Sequence, residues 1–446
     1  MQMLELFTKL LFLYLPFQFA LNPLSGVDLA SARVFILLLF FYWFTQSLLQ
    51  KKITLRLDLI FLLLFSFLFF TVLSLFWAEN KSWGIRKIIF FFSILPIFFV
   101  IRYIFASSLE KTRQLLNFTL WGAFLASLLG IIQFLLQFLI PLNKLYSFWA
   151  ILITPFLGQS FSQAVLSNPS WLVNIGGYTL LRATAFFPDP HMLAFYLNIC
   201  ATISLGMFLN VTKNKTSYNN PTPSWNLGRH LHLIFFLTLT LASFLTFSRG
   251  GYLGLLSGLV FFIILTFKSK FKKLLNNLRN IAILISIFLF FIAFFIIPNP
   301  VSNRLLSSFN LTEGSNIGRL DTWHQSFEII KQNPLLGVGI GNYSLAIKPS
   351  ADYREPIYSH NTFLDIAAET GIINLFLWVS VFLIAIFSFT RDFIRRKNYL
   401  SLSLAASLFG FSVHSLFETA IFSVHVLPLI ILILALNKEK NETSSL

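Results

Sequence analysis

Residues Leu59–Trp77 read LIFLLLFSFLFFTVLSLFW, nineteen residues without a charge. A helix crossing the hydrocarbon core of a bilayer needs about 20 mostly apolar residues. The run is continuous, whereas barrel strands alternate apolar and polar positions, so a spanning helix is predicted. The same window, moved outward along the chain, gives twelve spans, near 4–21, 33–49, 59–77, 86–106, 115–140, 192–211, 231–247, 250–267, 281–298, 372–390, 400–417 and 420–436. Composition agrees, because 56% of the 446 residues are hydrophobic and 11% are charged, against about 25% charged in a soluble domain. A soluble enzyme, a disordered chain and a coiled coil are excluded. The first stretch, Met3–Leu21, lacks a positive start and a small-x-small cleavage site, so it is expected to stay as span one. The single cysteine, Cys200, permits no intramolecular disulfide.

The net charge of +16 would point to nucleic acid in a soluble protein, but here it reports topology. Basic clusters follow the even-numbered spans: Lys51, Lys52 and Arg56; Lys111 and Arg113; Lys213, Lys215 and Arg229; Lys268, Lys270, Lys272, Lys273 and Arg279; Arg391, Arg395, Arg396 and Lys397; Lys438 and Lys440. Cytoplasmic loops retain Lys and Arg, so both termini are expected inside. No basic stripe with interleaved aromatics sits on a soluble segment, so no nucleic-acid partner is expected. The expected organisation is all-α and polytopic. Spans one to nine occupy 1–298, an outward loop with short helices 299–371, spans ten to twelve 372–436, and a cytoplasmic tail 437–446. A second outward segment runs from Pro141 to His191, with Tyr146–Leu157 suited to lie along the interface. Within the long loop a helix is predicted over Leu320–Gln332, stopped before Pro334.

Ionisable residues at or in a membrane are costly and are functional candidates. Arg249 lies in Thr246-Phe247-Ser248-Arg249-Gly250-Gly251, a tight turn between spans seven and eight at the expected outer face. A guanidinium there can clasp a phosphate in two-pronged fashion, and the glycines permit close backbone approach. The plainer reading is an arginine snorkelling to lipid headgroups. Arg182, just before span six, is an outward cation against the general charge bias; the plainer reading is an interfacial anchor. His360, in Tyr358-Ser359-His360-Asn361-Thr362-Phe363-Leu364-Asp365, titrates near neutral pH and can act as a general base. His191 is read as structural, and His414 and His425 as helix-to-helix hydrogen-bonding groups. No His, Glu or Cys cluster has metal-ligand spacing, so neither metal nor cofactor is expected. The glycines of Pro334-Leu335-Leu336-Gly337-Val338-Gly339-Ile340-Gly341-Asn342-Tyr343 follow no buried strand, so a turn packed on the membrane domain is predicted rather than a nucleotide loop. Two outward cations suit a diphosphate and a base suits a hydroxyl. Group transfer from a lipid-borne, phosphate-activated donor is one reading, and an anion transporter is the other.

Three stretches together resemble the O-antigen ligase family, with its related O-antigen polymerases and protein O-oligosaccharyltransferases. They are Ser248-Arg249-Gly250-Gly251; Gly318-Arg319-Leu320-Asp321-Thr322-Trp323 with Asn333 to Tyr343; and His360-Asn361 followed after nine residues by Gly371. The resemblance implies about twelve spans with a large outward (periplasmic) loop between spans nine and ten, in the bacterial inner membrane. It also implies a metal-independent, inverting glycosyltransferase using an undecaprenyl diphosphate-linked glycan. Arg182 and Arg249 match the arginines holding the donor diphosphate, His360 matches the base, and Arg319 and Asn361 fall in the same motifs as supporting residues. O-antigen ligation to lipid A-core in lipopolysaccharide biosynthesis is the leading expectation. Polymerisation onto a growing chain and transfer to protein are alternatives, and some similar chains are described as inorganic-carbon transporters. The family often shows Gly-x-x-Gly where this chain has Gly371-Ile372-Ile373-Asn374, a departure expected to touch packing rather than chemistry. No outward Arg is followed fifteen residues later by Gly, as polymerases often show.

Overall fold

The computed structural model describes residues 2–24, 27–51, 58–106, 108–159, 162–163, 166, 169–211, 224–274, 297, 299–307, 314–353 and 357–437. Ninth-span residues 281–296 and 298, and much of the basic clusters at Lys52–Arg56, Lys213–Lys215, Arg279 and Lys438–Lys440, lie outside the described residues. The helices are α1 Gln2–Tyr14, α2 Ser31–Leu49, α3 Leu59–Leu73, α4 Lys81–Ile94, α5 Ile97–Ile104, α6 Leu109–Leu136, α7 Leu142–Leu157, α8 Pro190–Val211, α9 Ser224–Leu245 and α10 Arg249–Leu274. They continue with α11 Pro300–Leu306, α12 Gly314–Gln332, α13 Tyr343–Ile347, α14 Thr362–Arg396, α15 Tyr399–His414 and α16 Val426–Ala435. Two antiparallel hairpins interrupt them, β1 Ala20–Leu24 with β2 Val27–Ala30, and β3 Leu172–Ile175 with β4 Tyr178–Leu181. Among the described residues seven helical stretches are long and apolar enough to cross a membrane, and three more are apolar but shorter. This is a helical membrane protein.

Local chemistry sets the ends of these helices. Asp58 caps α3 by accepting from Phe61 N, and Ser108 caps α6 by accepting from Lys111 N. Pro96 divides the expected fourth span into α4 and α5, because proline lacks the donor that would continue the ladder. On α3 the buried residues Ile60, Leu64, Phe67 and Thr71 recur every three or four positions. Leu62, Phe65 and Phe69 point away from the protein, the face a lipid solvent would cover. The first expected span is a thirteen-residue helix followed by a short 3-10 turn and β1, because Pro16 and the polar Gln18 end the helix early. The expected loop helix begins at Gly314 rather than at Leu320.

The interior is organised around α8, most of whose residues are buried, packed against α9, α10 and α15. Small residues bring α10 against α15. A Cβ at Gly410 would stand 2.6 Å from Gly254 O, and one at Gly258 would stand 2.9 Å from Ala406 O. Close backbone approach through small residues is the usual basis of helix association in lipid, where no hydrophobic effect draws helices together. This packing carries Arg249, the first residue of α10, to the connection that follows α15.

The predicted glycine turn is found and packs on the membrane helices. Val338 N donates to Ala368 O, Gly339 N to Glu369 O, and Ile340 N to Ser74 Oγ. Trp77 Nε1 donates to Leu336 O, and Asn342 exchanges hydrogen bonds with Asn80. Gly339 (φ +93°) leaves 2.5 Å between an added Cβ and Ala78 Cα. Gly371 (φ +88°) breaks the helical geometry of α14, and an added Cβ would stand 2.0 Å from Leu335 O. Glycine is required at both positions on two counts, conformation and space. Asn374, the departure from the family pattern, is buried and donates to Thr71 Oγ1 and Thr370 Oγ1.

Candidate functional site

Four chain segments meet at one end of the bundle: 182–191, 246–249, 359–365 and 415–419. The start of α14 lies here, while its other end carries Arg391, Arg395 and Arg396. Beyond the break at Gly371 the helix runs on to Arg396, a length on the order of 40 Å at 1.5 Å per residue.

Arg182 is delivered by the β3–β4 hairpin. Gly176 and Gly177 both have positive φ, as a two-residue hairpin turn matching strand twist demands. Gln133 on α6 and Gln137 at its C-terminal cap then grip the emerging chain. Gln137 accepts from Leu181 N and donates to Leu181 O, and Gln133 Oε1 accepts from Thr184 N and Ala185 N. Their four-residue spacing puts both on one helix face. Arg182 N donates to Trp171 O, its Nε to Thr246 O at 2.7 Å, and its Nη1 to Ser170 O at 2.7 Å. Its Nη2 is buried and has no hydrogen-bond partner among the described residues. Only 3% of the residue is exposed. Burial, and next the like charge of Arg304, pull the guanidinium down to about 9. It remains charged at neutral pH, in surroundings that penalise the charge and would reward an anion.

Arg182 is therefore bonded to the turn that holds Arg249. Ala183 N donates to Leu245 O, which ties the two segments a second time. Ser248 caps α10, accepting from Gly251 N at 3.1 Å, and Arg249 is 4% exposed with Nη1 donating to Ser307 O and Oγ. His191 Nδ1 stands 2.8 Å from Ser248 Oγ. Asp189 caps α8, accepting from His191 N and Met192 N. Burial first, and then the charge of Glu418, raise its carboxyl to about 6. Helices α8, α10 and α14 all begin at this end, so their positive dipole ends lie in the same region.

His360 has φ +53°, an uncommon conformation for a residue with a Cβ. The flanking residues hold it there. Ser359 N donates to Asp365 Oδ1 and its Oγ to Asn361 O, while Asn361 caps α14 by accepting from Phe363 N and Leu364 N. The α15–α16 connection latches this segment. Thr362 N donates to Ser415 O, Thr362 Oγ1 to Glu418 O, and Thr419 Oγ1 to Asp365 Oδ2. His360 Nδ1 lies 2.8 Å from Glu418 Oε1. Glu418 Oε2 is 3.7 Å from Arg319 Nη2 and 3.9 Å from His191 Nε2. Burial alone would raise the Glu418 carboxyl, but His360 first, and then His191 and Arg319, hold it well below the usual range. The Glu418 charge raises the His360 imidazole above its ordinary value, opposed by burial and by Arg319.

The structure thus brings Arg182, Arg249, Arg319, His360 and Asn361 to one end of the bundle, with Arg182 bonded to the Arg249 turn and His360 and Arg319 sharing Glu418. His191 joins them. His414 packs beneath, its ring stacked on Phe195 and its Nε2 3.5 Å from Ser248 Oγ. His425 stacks on Phe187, and neither ring nitrogen has a hydrogen-bond partner among the described residues. His324 is exposed on α12. Sequence reading passed over Glu418, Gln133 and Gln137. It also passed over Lys87 and Arg86, cations at this same end. Lys87 is paired with Glu369 at 2.6 Å, and Arg86 lies over the Tyr353 ring. Among the described residues no group of three or more His, Cys, Asp or Glu is placed to hold a metal ion.

Residues 234–379 match the O-Antigen ligase family model. A protein of Rickettsia felis described as "Putative polysaccharide ligase" is 28% identical over 263 residues, covering 54% of this chain and 61% of that protein. One from Rickettsia conorii with the same description is 30% identical over 190 residues, covering 40% and 43%. One from Rickettsia typhi is 33% identical over 151 residues, covering 31% and 33%. The chain spans less than two thirds of the length of these curated relatives. The matched segment 234–379 contains Arg249, Arg319, His360, Asn361 and Gly371. Arg182 and Glu418 lie outside it.

Proposed function

We propose that this protein is a membrane glycosyltransferase of the polysaccharide ligase and polymerase type. It moves a glycan from an undecaprenyl diphosphate-linked donor to an acceptor hydroxyl at the outward face of the bacterial inner membrane. The observation that carries this reading is Arg182: almost wholly buried, bonded to the Arg249 turn, and with one guanidinium nitrogen lacking a partner. A diphosphate oxygen would complete its hydrogen bonding, and the helix N-termini would add to the attraction.

In the proposed step His360 accepts the proton of the acceptor hydroxyl as its oxygen attacks the anomeric carbon. The bond from that carbon to the diphosphate oxygen breaks, and the lipid diphosphate leaves with the electron pair. Arg182 and Arg249 stabilise the charge growing on the leaving group, and a single displacement inverts the anomeric configuration. Arg319 lies beside the base through Glu418, and Asn361 keeps the base at the start of α14. No step calls on a metal, so transfer should survive a chelator. Ligation to lipid A-core is the preferred acceptor chemistry.

Purified protein incubated with lipid-linked glycan and, separately, with lipid A-core, non-reducing glycan ends and a protein acceptor tests this reading. Transfer to the first supports ligation, and transfer only to the second or third reassigns the acceptor. No transfer to any, with substrate moved across proteoliposomes instead, would overturn the enzyme in favour of a transporter.

A further inference from the structure

We propose that Glu418 is the positioning residue of this transfer. It holds His360 through Nδ1–H, which leaves the Nε2 lone pair to take the acceptor proton, and it stabilises the imidazolium that results. The proposal rests on the reading of His360 as the base.

The geometry is asymmetric in the way such a pair requires. The Glu418 side chain is 11% exposed and that of His360 is 46% exposed, with 2.8 Å between Oε1 and Nδ1. The carboxylate is the buried anchor and the imidazole the open end. A neutral imidazole has one N–H and one lone pair, so a carboxylate on Nδ1 fixes the proton there and the lone pair on Nε2. Glu418 also meets His191, but His191 is 18% exposed and its Nδ1 is already engaged by Ser248. Of the two histidines, His360 is the more exposed.

The anchor is itself held on two sides. Thr362 donates to Glu418 O, and Thr419 donates to Asp365, so the α15–α16 connection cannot shift without moving the His360 segment. The charged and titratable groups bearing on Glu418 are His360 from the α14 start, Arg319 from α12, Arg182, Asp189 and His191 from the segment leading into α8, and His414 from α15, while Asp365 bears on His360 itself. In the reaction the proton from the acceptor hydroxyl passes to Nε2, the proton on Nδ1 stays, and Glu418 remains ionised. The ion pair is discharged to solvent after product leaves.

The test uses the full chain in detergent or nanodiscs, with lipid-linked glycan transfer followed against pH for wild type, E418Q, H360A and the double variant. E418Q is expected to lower kcat roughly 10- to 100-fold, part of the ~10²–10⁴ a positioned base supplies. Donor KM should change less than about twofold, because the interaction lost belongs to the transition state. The acid limb of the profile should move to lower pH, since removing the carboxylate charge makes the imidazole easier to deprotonate. In the H360A background E418Q should cost nothing further, because residues acting as a unit are not additive.

Equal losses with and without His360, or an unmoved acid limb, would overturn the proposal while leaving His360 as the base. Wild-type transfer by H360A would instead sink the base and the Glu418 role together. Should E418Q not fold, histidine-labelled wild-type protein decides. A resonance lost in H360A must titrate above the ordinary imidazole value, and titration at or below that value refutes the pairing.

Discussion

The two ends of α14 carry the same residue type in opposite circumstances. At one end Arg396 pairs loosely with Asp392, and 57% of its side chain is exposed. At the other end Arg182 and Arg249 gather near the helix start, 3% and 4% exposed. An exposed guanidinium costs little and is available for topology, since translocating it is what the membrane resists. A buried one is held against a desolvation penalty and must be compensated by its neighbours or by a ligand. Counting cations therefore locates the sides of the membrane, and their burial separates those two uses.

The sharpest way to break this contrast is at His360, where the compensated end does its proposed chemistry. His360→Ala should lower glycan transfer by about 10²- to 10⁴-fold with normal membrane insertion. In wild type the base works deprotonated and Glu418 favours the protonated form, so transfer should fall with acidity through a value above the usual ~6.5. A limb at or below that value would separate the rate from this imidazole. Arg182→Lys and Arg249→Lys come next. Each keeps the charge but loses the guanidinium donors, Nη2 of Arg182 among them, and should weaken donor binding by about 1.5–3 kcal/mol, roughly 10- to 150-fold, the worth of a hydrogen bond to a charged group. Unchanged donor affinity in both would remove the diphosphate clamp.

Gly371→Ala tests the frame rather than the chemistry. Its backbone conformation alone should cost about 1–3 kcal/mol, read as a lower thermal midpoint of the solubilised protein, and the clash with Leu335 should add to it. Arg396→Ala is expected to do least. Stability should stay within about 0.5 kcal/mol and transfer should be unaffected, as for an exposed side chain away from any special feature. A large loss there would erase the distinction between the two ends.

Much of this was legible in sequence because the bilayer simplifies the alphabet. Apolar runs announce α2, α3, α6, α8, α10 and α14, and the packing of the glycine turn followed from its lack of a strand–helix setting. The Arg249 turn and the His360-Asn361 motif were visible because they are compact in sequence. Glu418 was not, since a single carboxylate between two apolar runs looks like any loop residue until His360, 58 positions earlier, is folded against it. Gln133 and Gln137 were hidden for a related reason. Uncharged amides do not interrupt a hydropathy window, yet they are what aim Arg182. The short α1 and α16 were overread because a window measures apolarity and is blind to where proline and polar residues end a helix.

The latch between Thr362, Asp365 and the 415–419 connection also has a consequence for biosynthesis. A ribosome would have threaded both arginines, the histidine and the glycine turn into the membrane before the residues that lock His360 existed. A chain halted at His414 would hold the proposed diphosphate cradle but lack Ser415, Glu418 and Thr419. On the proposed mechanism it could engage a lipid diphosphate while discharging it only slowly. Full competence would thus arrive late, with the last hairpin to be inserted, so that a stalled or clipped protein would occupy donor lipid longer before consuming it.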